Sequence, residues 1–197
     1  MGLFDRIAPI YAWFFDYQVN YYKQILNKIS SEFDISQFDT ILDLGCGTGA
    51  LCKVLNDNGV MVTGIDTSSG MLKQAKKKTQ GHDLEFIQVQ AGKSLPFDDK
   101  SFDLVIASYV AHGLEPEERI QLYKEMGRIA KEYVIIYDYN KNRGLVTTLV
   151  EWLENGDYFN FIKNAEIELE KTFNNLRVIQ VDKRASWYIC LVNKPLK

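Results

Sequence analysis

Cysteine is scarce in this chain of 197 residues: Cys46, Cys52 and Cys190 are its three, an odd number with no C-x-x-C pair. That argues against a disulfide framework and against a zinc site built on paired thiols, and it points to reduced thiols in a cytoplasmic setting. No metal site is expected. Basic charge is not in excess either, with 23 Lys and Arg against 26 Asp and Glu and a net charge of -3. General affinity for nucleic acid or anionic membranes needs a basic face, so neither partner is expected. The run Lys76-Lys77-Lys78 is a local exception and reads as the cationic end of a helix. Long apolar runs are also missing. Ile7 to Phe15 is too short to span a bilayer, and Asp5 precedes it where a secretion signal would be basic. The Met1-Gly2 opening lacks the Ser or Thr that myristoylation wants, since Arg6 stands there. The expectation is a soluble, cytoplasmic protein; its oligomeric state is not legible.

What is present is a globular balance, 46% apolar and 25% charged residues, sufficient for one domain with a sizeable core. Tyr11, Phe14, Phe15, Gln18, Tyr22, Ile25, Leu26 and Ile29 recur near helical spacing and predict one amphipathic N-terminal helix. Strands and helices then alternate. Strands are predicted at Thr40 to Leu44, Val60 to Ile65, Leu84 to Val89, Phe102 to Ala107 and Tyr133 to Tyr137. Helices are predicted over Thr48 to Asn58, stopped by Gly59, over Ser68 to Thr79, capped by Thr67 or Ser68, and from Glu115-Pro116-Glu117-Glu118 onward. Such alternation implies parallel β-α-β units. Helices at Leu145 to Asn155 and Tyr158 to Thr172 follow. The strands Leu176 to Val181 and Trp187 to Val192, joined by the short connection Asp182 to Ser186, make a hairpin that forces one strand antiparallel.

The stretch Asp43-Leu44-Gly45-Cys46-Gly47-Thr48-Gly49 joins the first strand to the first helix of the alternation. Glycines there permit a tight turn and close approach of a ligand to the backbone. Asp66, seventeen residues beyond Gly49 at the end of the second strand, is suited to accept hydrogen bonds from the two hydroxyls of a ribose. Loop and acid together ask for an adenosine-type cofactor. Gly45, Gly47 and Ala50 also fit the dinucleotide pattern G-x-G-x-x-A, but a pyrophosphate would lie close to Asp43. S-adenosylmethionine carries an ammonium and a sulfonium instead, and opposite unit charges at about 4 Å attract by roughly 4 kcal/mol at an intermediate dielectric.

These residues closely resemble a known family. Ile41 to Gly49 resembles the first motif of the Rossmann-like (class I) S-adenosylmethionine-dependent methyltransferases, Gly64 to Leu72 their second, and Leu95 to Val105 the segment leading into their fourth strand. The likeness covers about residues 38 to 138 and is nearest to the members that methylate small molecules. It implies an α/β, three-layer sandwich around a mostly parallel seven-stranded sheet with an antiparallel final strand. It further implies that Asp43, Gly45, Cys46 and Gly47 line the methionyl part, that Asp66 holds the ribose, and that Thr67 and Met71 flank the adenosine. Two departures stand out. The acid that often meets the adenine amino group is replaced by the stretch around Ala91 and Gly92, and the Pro-Gly turn before the fifth strand is replaced by Lys131-Glu132, a shortened connection.

On this reading 1–197 is one methyltransferase domain, with an N-terminal helical segment over the site (1–37), a cofactor-binding core (38–138), a helical insert able to act as a lid (139–175) and a C-terminal hairpin (176–197). Ligands of open parallel sheets bind beyond the carboxyl ends of the strands, which adds Gln90 to Gly92, Ser108 to His112 and Asp138 to Asn140 to the polar candidates. Methyl transfer needs no metal or covalent nucleophile, because the sulfonium is an excellent leaving group and positioning supplies most of the rate. His112 has two readings, a base that takes the acceptor's proton or a loop residue that bonds the backbone. Tyr11, Tyr22 and Trp152, with their aromatic neighbours, read either as a lid over an apolar acceptor or as core. Two rival functions stay open, a non-catalytic S-adenosylmethionine-binding module and a nicotinamide-dependent oxidoreductase.

Overall fold

A computed structural model describes residues 3–142, 157–173 and 175–192. The expected helix at Leu145 to Asn155, and Trp152 with it, lies outside the described residues. The chain divides into two compact units, 1–96 and 97–197.

In the first unit, α1 (Leu3–Trp13) and α2 (Phe15–Ile29) precede β1 (Thr40–Leu44), α3 (Ala50–Asp57), β2 (Met61–Asp66), α4 (Ser69–Lys78) and β3 (Leu84–Gln88). β1, β2 and β3 are parallel, in the order β3-β2-β1. The apolar runs that predicted them are buried, Ile41, Leu42 and Ile65 among them. Ser68 caps α4, its hydroxyl accepting the Met71 amide hydrogen at 3.1 Å, which decides between the two cap candidates. One expectation needs correcting. The N-terminal helix is two helices, broken at Phe14 (φ -87°, ψ 5°). The break lets two stretches seat on different partners: α1 packs along α4 through Ala8 and Ala12, while α2 packs on α3 through Val19, Leu26 and their buried neighbours.

In the second unit, β4 (Phe102–Ser108), α5 (Pro116–Ile129), β5 (Ala130–Tyr139), α6 (Tyr158–Thr172), β6 (Leu176–Asp182) and β7 (Ala185–Leu191) follow. α5 opens with proline in its first turn and a capping box between Glu115 and Glu118. It then passes into β5 with no residue between, so the connection at Lys131-Glu132 that looked shortened is absent and these two residues open the strand. β4 and β5 are parallel, and β7 lies between β5 and β6, antiparallel to both. β7 is buried almost end to end, whereas β6 alternates over its second half, with Ile179 and Val181 inward and Val178, Gln180 and Asp182 outward, as befits an edge strand. The order within this second unit is β4-β5-β7-β6. With helices on the sheet, this is the layered α/β architecture, antiparallel final strand included, that the motifs implied. Among the described residues no helix is long and apolar enough to cross a membrane.

Candidate functional site

The turn after β1 is built on left-handed glycines: Gly45, Gly47 and Gly49 have φ of 73°, 54° and 81°. Their roles differ. A Cβ on Gly47 would meet nothing within 4 Å, so this residue presents open backbone, while a Cβ on Gly49 would meet the Phe86 ring at 3.0 Å. The loop's amides are largely engaged within the protein. Gly45 and Cys46 both donate to the Ile65 carbonyl (2.8 and 3.0 Å), Gly49 donates to the Cys46 carbonyl (2.9 Å), and Gly47 donates to Asp66 Oδ2 (2.9 Å). A phosphate-cradling loop works by leaving such amides free to point at the anion. This loop does not.

Asp66 stands at the end of β2 with its second oxygen accepting from the Ser68 amide at 2.8 Å. Burial raises its carboxyl above the usual range against the pull of these bonds, and the nearby charge of Asp5 adds to the rise. With the Thr67 amide also leaning on this carboxyl, one of its four lone-pair sites remains for a ribose hydroxyl. Thr67 is exposed beside it; Met71, one turn into α4, is buried in the unit's core. Ala91 and Gly92, beyond β3, are exposed, and a Cβ on Gly92 would meet nothing within 4 Å.

Asp43 alters the electrostatic picture. The sequence reading treats it as a fixed negative charge, yet it is only 1% exposed. Desolvation pushes its carboxyl up from 3.8 to about 7; the Cys52 thiol, donating to Oδ2 at 3.1 Å, opposes that rise and the charge of Asp66 adds to it. Oδ1 has no hydrogen-bond partner among the described residues. An unpartnered buried acceptor calls for a donor. The ammonium of S-adenosylmethionine is such a donor and would return Asp43 to its ionised form, whereas a pyrophosphate supplies none. The residues present therefore fit the phosphate-free ligand.

Two further contacts bring the N-terminal helices to this end of the first unit. Thr48 donates to Gln18 Oε1 of α2 at 3.3 Å. Asp5 of α1 accepts from the Ser68 hydroxyl (2.7 Å) and the Gly70 amide (2.9 Å), an added cap on α4. Tyr11 on α1 is exposed and Tyr22 on α2 half-buried.

The second unit carries the other candidates. Ser108 ends β4, half-buried. His112, in a short 3-10 turn at Ala111–Gly113, places Nδ1 2.8 Å from Oδ1 of Asp138, which is fully buried. Asp138 also accepts the backbone hydrogens of His112 (3.2 Å) and Tyr139 (2.8 Å), so its position is held from three sides. A carboxylate on Nδ1 favours the tautomer that leaves Nε2 as the acceptor. Aromatic rings gather around this pair: Tyr139 lies 4.9 Å from His112 by centroid, Tyr109 and Phe161 6.4 and 6.5 Å. Tyr109 holds a φ of 55°, an unusual state for a bulky residue and a feature of strained functional loops.

Arg119 underlies the arrangement. Fully buried, it forks onto Glu168 (2.9 and 2.8 Å), pairs with Asp157 (2.7 Å), bonds the Leu114 carbonyl, and lies 5.7 Å from the Phe161 ring. It ties the loop after His112 to α6. The pairing of His112 with Asp138 was only half legible: both stood among the strand-end candidates, but nothing in their spacing joins them. Tyr109 stood within the strand-end stretch Ser108 to His112 but was not singled out, and Arg119 left no signal. Among the described residues no group of His, Cys, Asp and Glu is placed to hold a metal.

Residues 41–133 match a family described as a methyltransferase domain. An uncharacterized methyltransferase from Staphylococcus carnosus is 25% identical over 195 residues, 92% of this chain and 88% of that one. The 2-phytyl-1,4-beta-naphthoquinone methyltransferase of Arabidopsis thaliana is 33% identical over 164 residues, 77% of this chain; these residues span 62% of that protein, less than two thirds. The crystal structure of the PH0226 protein from Pyrococcus horikoshii superposes with a TM-score of 0.71 at 22% identity, covering 87% of this chain and 89% of the other, a likeness of fold. By sequence over residues 41–133, and by fold, the chain is similar to the Rossmann-like, S-adenosylmethionine-dependent methyltransferases.

Proposed function

We propose that this chain transfers a methyl group from S-adenosylmethionine to a small, apolar acceptor that carries an ionisable O–H or N–H. The observation that carries the cofactor half is the glycine loop, with its amides turned inward and the buried Oδ1 of Asp43 lacking a partner. Asp43, Gly45, Cys46 and Gly47 would hold the methionyl part, Asp66 and Thr67 the ribose, and Met71, Ala91, Gly92 and Ser108 the remainder of the nucleoside. When bound, the cofactor supplies an electrophilic methyl group on a sulfonium that departs as a neutral thioether. As an acceptor lone pair forms its bond to that carbon, the acceptor's proton must leave. His112 is the group suited to take it, at the nitrogen not facing Asp138. Asp138 orients the ring and stabilises the imidazolium.

The acceptor class rests on two supports. The rings of Tyr109, Tyr139 and Phe161 offer apolar and π-rich surface around His112. The Arabidopsis relative, by its name, methylates a naphthoquinone. The test is turnover. The protein is incubated with S-adenosylmethionine and pools of phenols, reduced quinones, carboxylic acids and amines, and S-adenosylhomocysteine is measured. Formation with an aromatic hydroxyl or amine pool bears the proposal out; tight cofactor binding with no turnover across all pools would favour the non-catalytic binding module.

A further inference from the structure

The N-terminal helices invert the usual arrangement of sizes. The face of α1 turned inward carries Ala8 (2% exposed) and Ala12, while large side chains face out: Ile10 (57%), Trp13 (83%) and Phe14, followed on α2 by Tyr17 (70%). A helix resting in water does the reverse. Ile10 lies three and four residues before Trp13 and Phe14, and Tyr17 four and three residues after them, so the four form one apolar, aromatic stripe, of the kind that marks a binding surface.

The helix beside the stripe has the opposite character. α4 (SGMLKQAKKK) has four lysines and no acid. It runs alongside α1 in the same direction, because Asp5 bonds the start of α4 and the Lys78 ammonium lies 5.6 Å from the centroid of Phe15, just past the end of α1. Lys73, Lys76 and Lys77 are exposed on it, and Arg6 is exposed on α1. The net charge of -3 is an average from which this face departs. Aromatic side chains backed by a row of cations are complementary to one surface in particular, an apolar interior beneath anionic headgroups, where Trp and Tyr settle at the boundary and lysines reach the phosphates. α1 has 11 residues, too few to cross a bilayer, so it can only lie on one.

We propose that the α1–α4 face docks this protein, reversibly, on an anionic lipid surface, α1 lying in the plane of the headgroups. The proposal does not depend on the identity of the acceptor. The full chain is sedimented with vesicles of phosphatidylcholine alone and of phosphatidylcholine with phosphatidylglycerol, and its affinity for S-adenosylmethionine is followed in parallel. The expected result is binding to the anionic vesicles about tenfold or more above the neutral ones, weakening as salt is raised. Ile10→Ser with Trp13→Ser should reduce that binding about tenfold, and Lys76→Glu with Lys77→Glu should remove the preference for anionic lipid, with cofactor affinity unchanged in both. Absence of binding to anionic vesicles, equal binding to both kinds, or wild-type binding by either double variant overturns the proposal. So does a wild-type dimer that the Ile10 and Trp13 substitutions convert to monomer, which would assign the stripe to a second copy of the chain. Loss of cofactor binding by the wild-type chain would count against the proposed function and leave the vesicle result to stand by itself.

Discussion

Asp43 has to be buried beneath the glycine loop and yet be ready to meet a cation, and the two demands set opposite signs. Its carboxyl is raised from 3.8 to about 7 by burial, with Cys52 donating to it and Asp66 close by. A folded-state value above the unfolded one means the ionised form is disfavoured in the fold. The group therefore removes stability as pH climbs from about 4 to 7, and the loss stays constant above that. Asp43→Asn should flatten this part of the stability profile between about pH 4 and 7, measured by thermal unfolding of the cofactor-free protein. Cofactor binding has the opposite preference. An ammonium partner favours the ionised form, so affinity should rise through pH 7 and binding near neutrality should release a proton, which calorimetry in buffers of different ionisation enthalpy detects. The glycines separate space from conformation. A Cβ on Gly64 would come within 2.8 Å of Phe86 and 2.9 Å of the Cys46 sulfur, so Gly64→Ala should cost about 1–3 kcal/mol of stability. Gly47→Ala, with open space but a φ of 54°, should cost only about 1–2 kcal/mol while weakening the cofactor more than the fold. In the second unit, His112→Ala should lower turnover by about 10²–10⁴ with little change in cofactor affinity, and Asp138→Asn should shift the lower limb of the pH–rate profile. An unchanged rate for His112→Ala would leave the imidazole with a role in shaping the loop alone.

At the level of elements, Arg119 makes the largest single demand. Its guanidinium is buried with Glu168 and Asp157 around it, so Arg119→Met would leave two carboxylates without their counter-charge. The expected loss is about 3–5 kcal/mol. Thermal unfolding should register it as a fall of about 2–4 °C per kcal/mol for a chain of this length. The elements differ in how far they were legible. α6 was readable to the residue, because its Tyr, Phe and Ile fall at helical spacing and a buried face follows directly from that spacing. β1 and the cap of α4 were readable for similarly local reasons. β5 was read short: near its start Lys131 and Glu132 are charged and exposed, and only pairing within the sheet makes them strand. The break at Phe14 was missed because both halves of the N-terminal segment have helical periodicity, and what separates them is the two partners they pack on. The bond between His112 and Asp138, 26 residues apart, belongs to the same class, since contacts between elements have no period to betray them.

For the whole molecule, composition was a good guide to what the chain lacks and a poor one to how charge is distributed. Its slight acidity argued against anionic partners, yet α4 gathers four lysines beside an aromatic stripe, and the acids gather around the glycine loop instead. That second gathering decides the ligand. Asp43 and Asp66 lie around the loop with Asp5 beside them, the amides of Gly45, Cys46, Gly47 and Gly49 are engaged within the protein, and Oδ1 of Asp43 has no donor among the described residues. Each of these disfavours a phosphate and favours a cationic nucleoside. The measurement that tests this most directly is a calorimetric titration of the purified protein with S-adenosylmethionine, S-adenosylhomocysteine and the nicotinamide dinucleotides, side by side at pH 8. Binding of the first two with a Kd of about 1–100 μM and none of the dinucleotides is the predicted result. Tight uptake of a dinucleotide by a protein that ignores S-adenosylmethionine would contradict it.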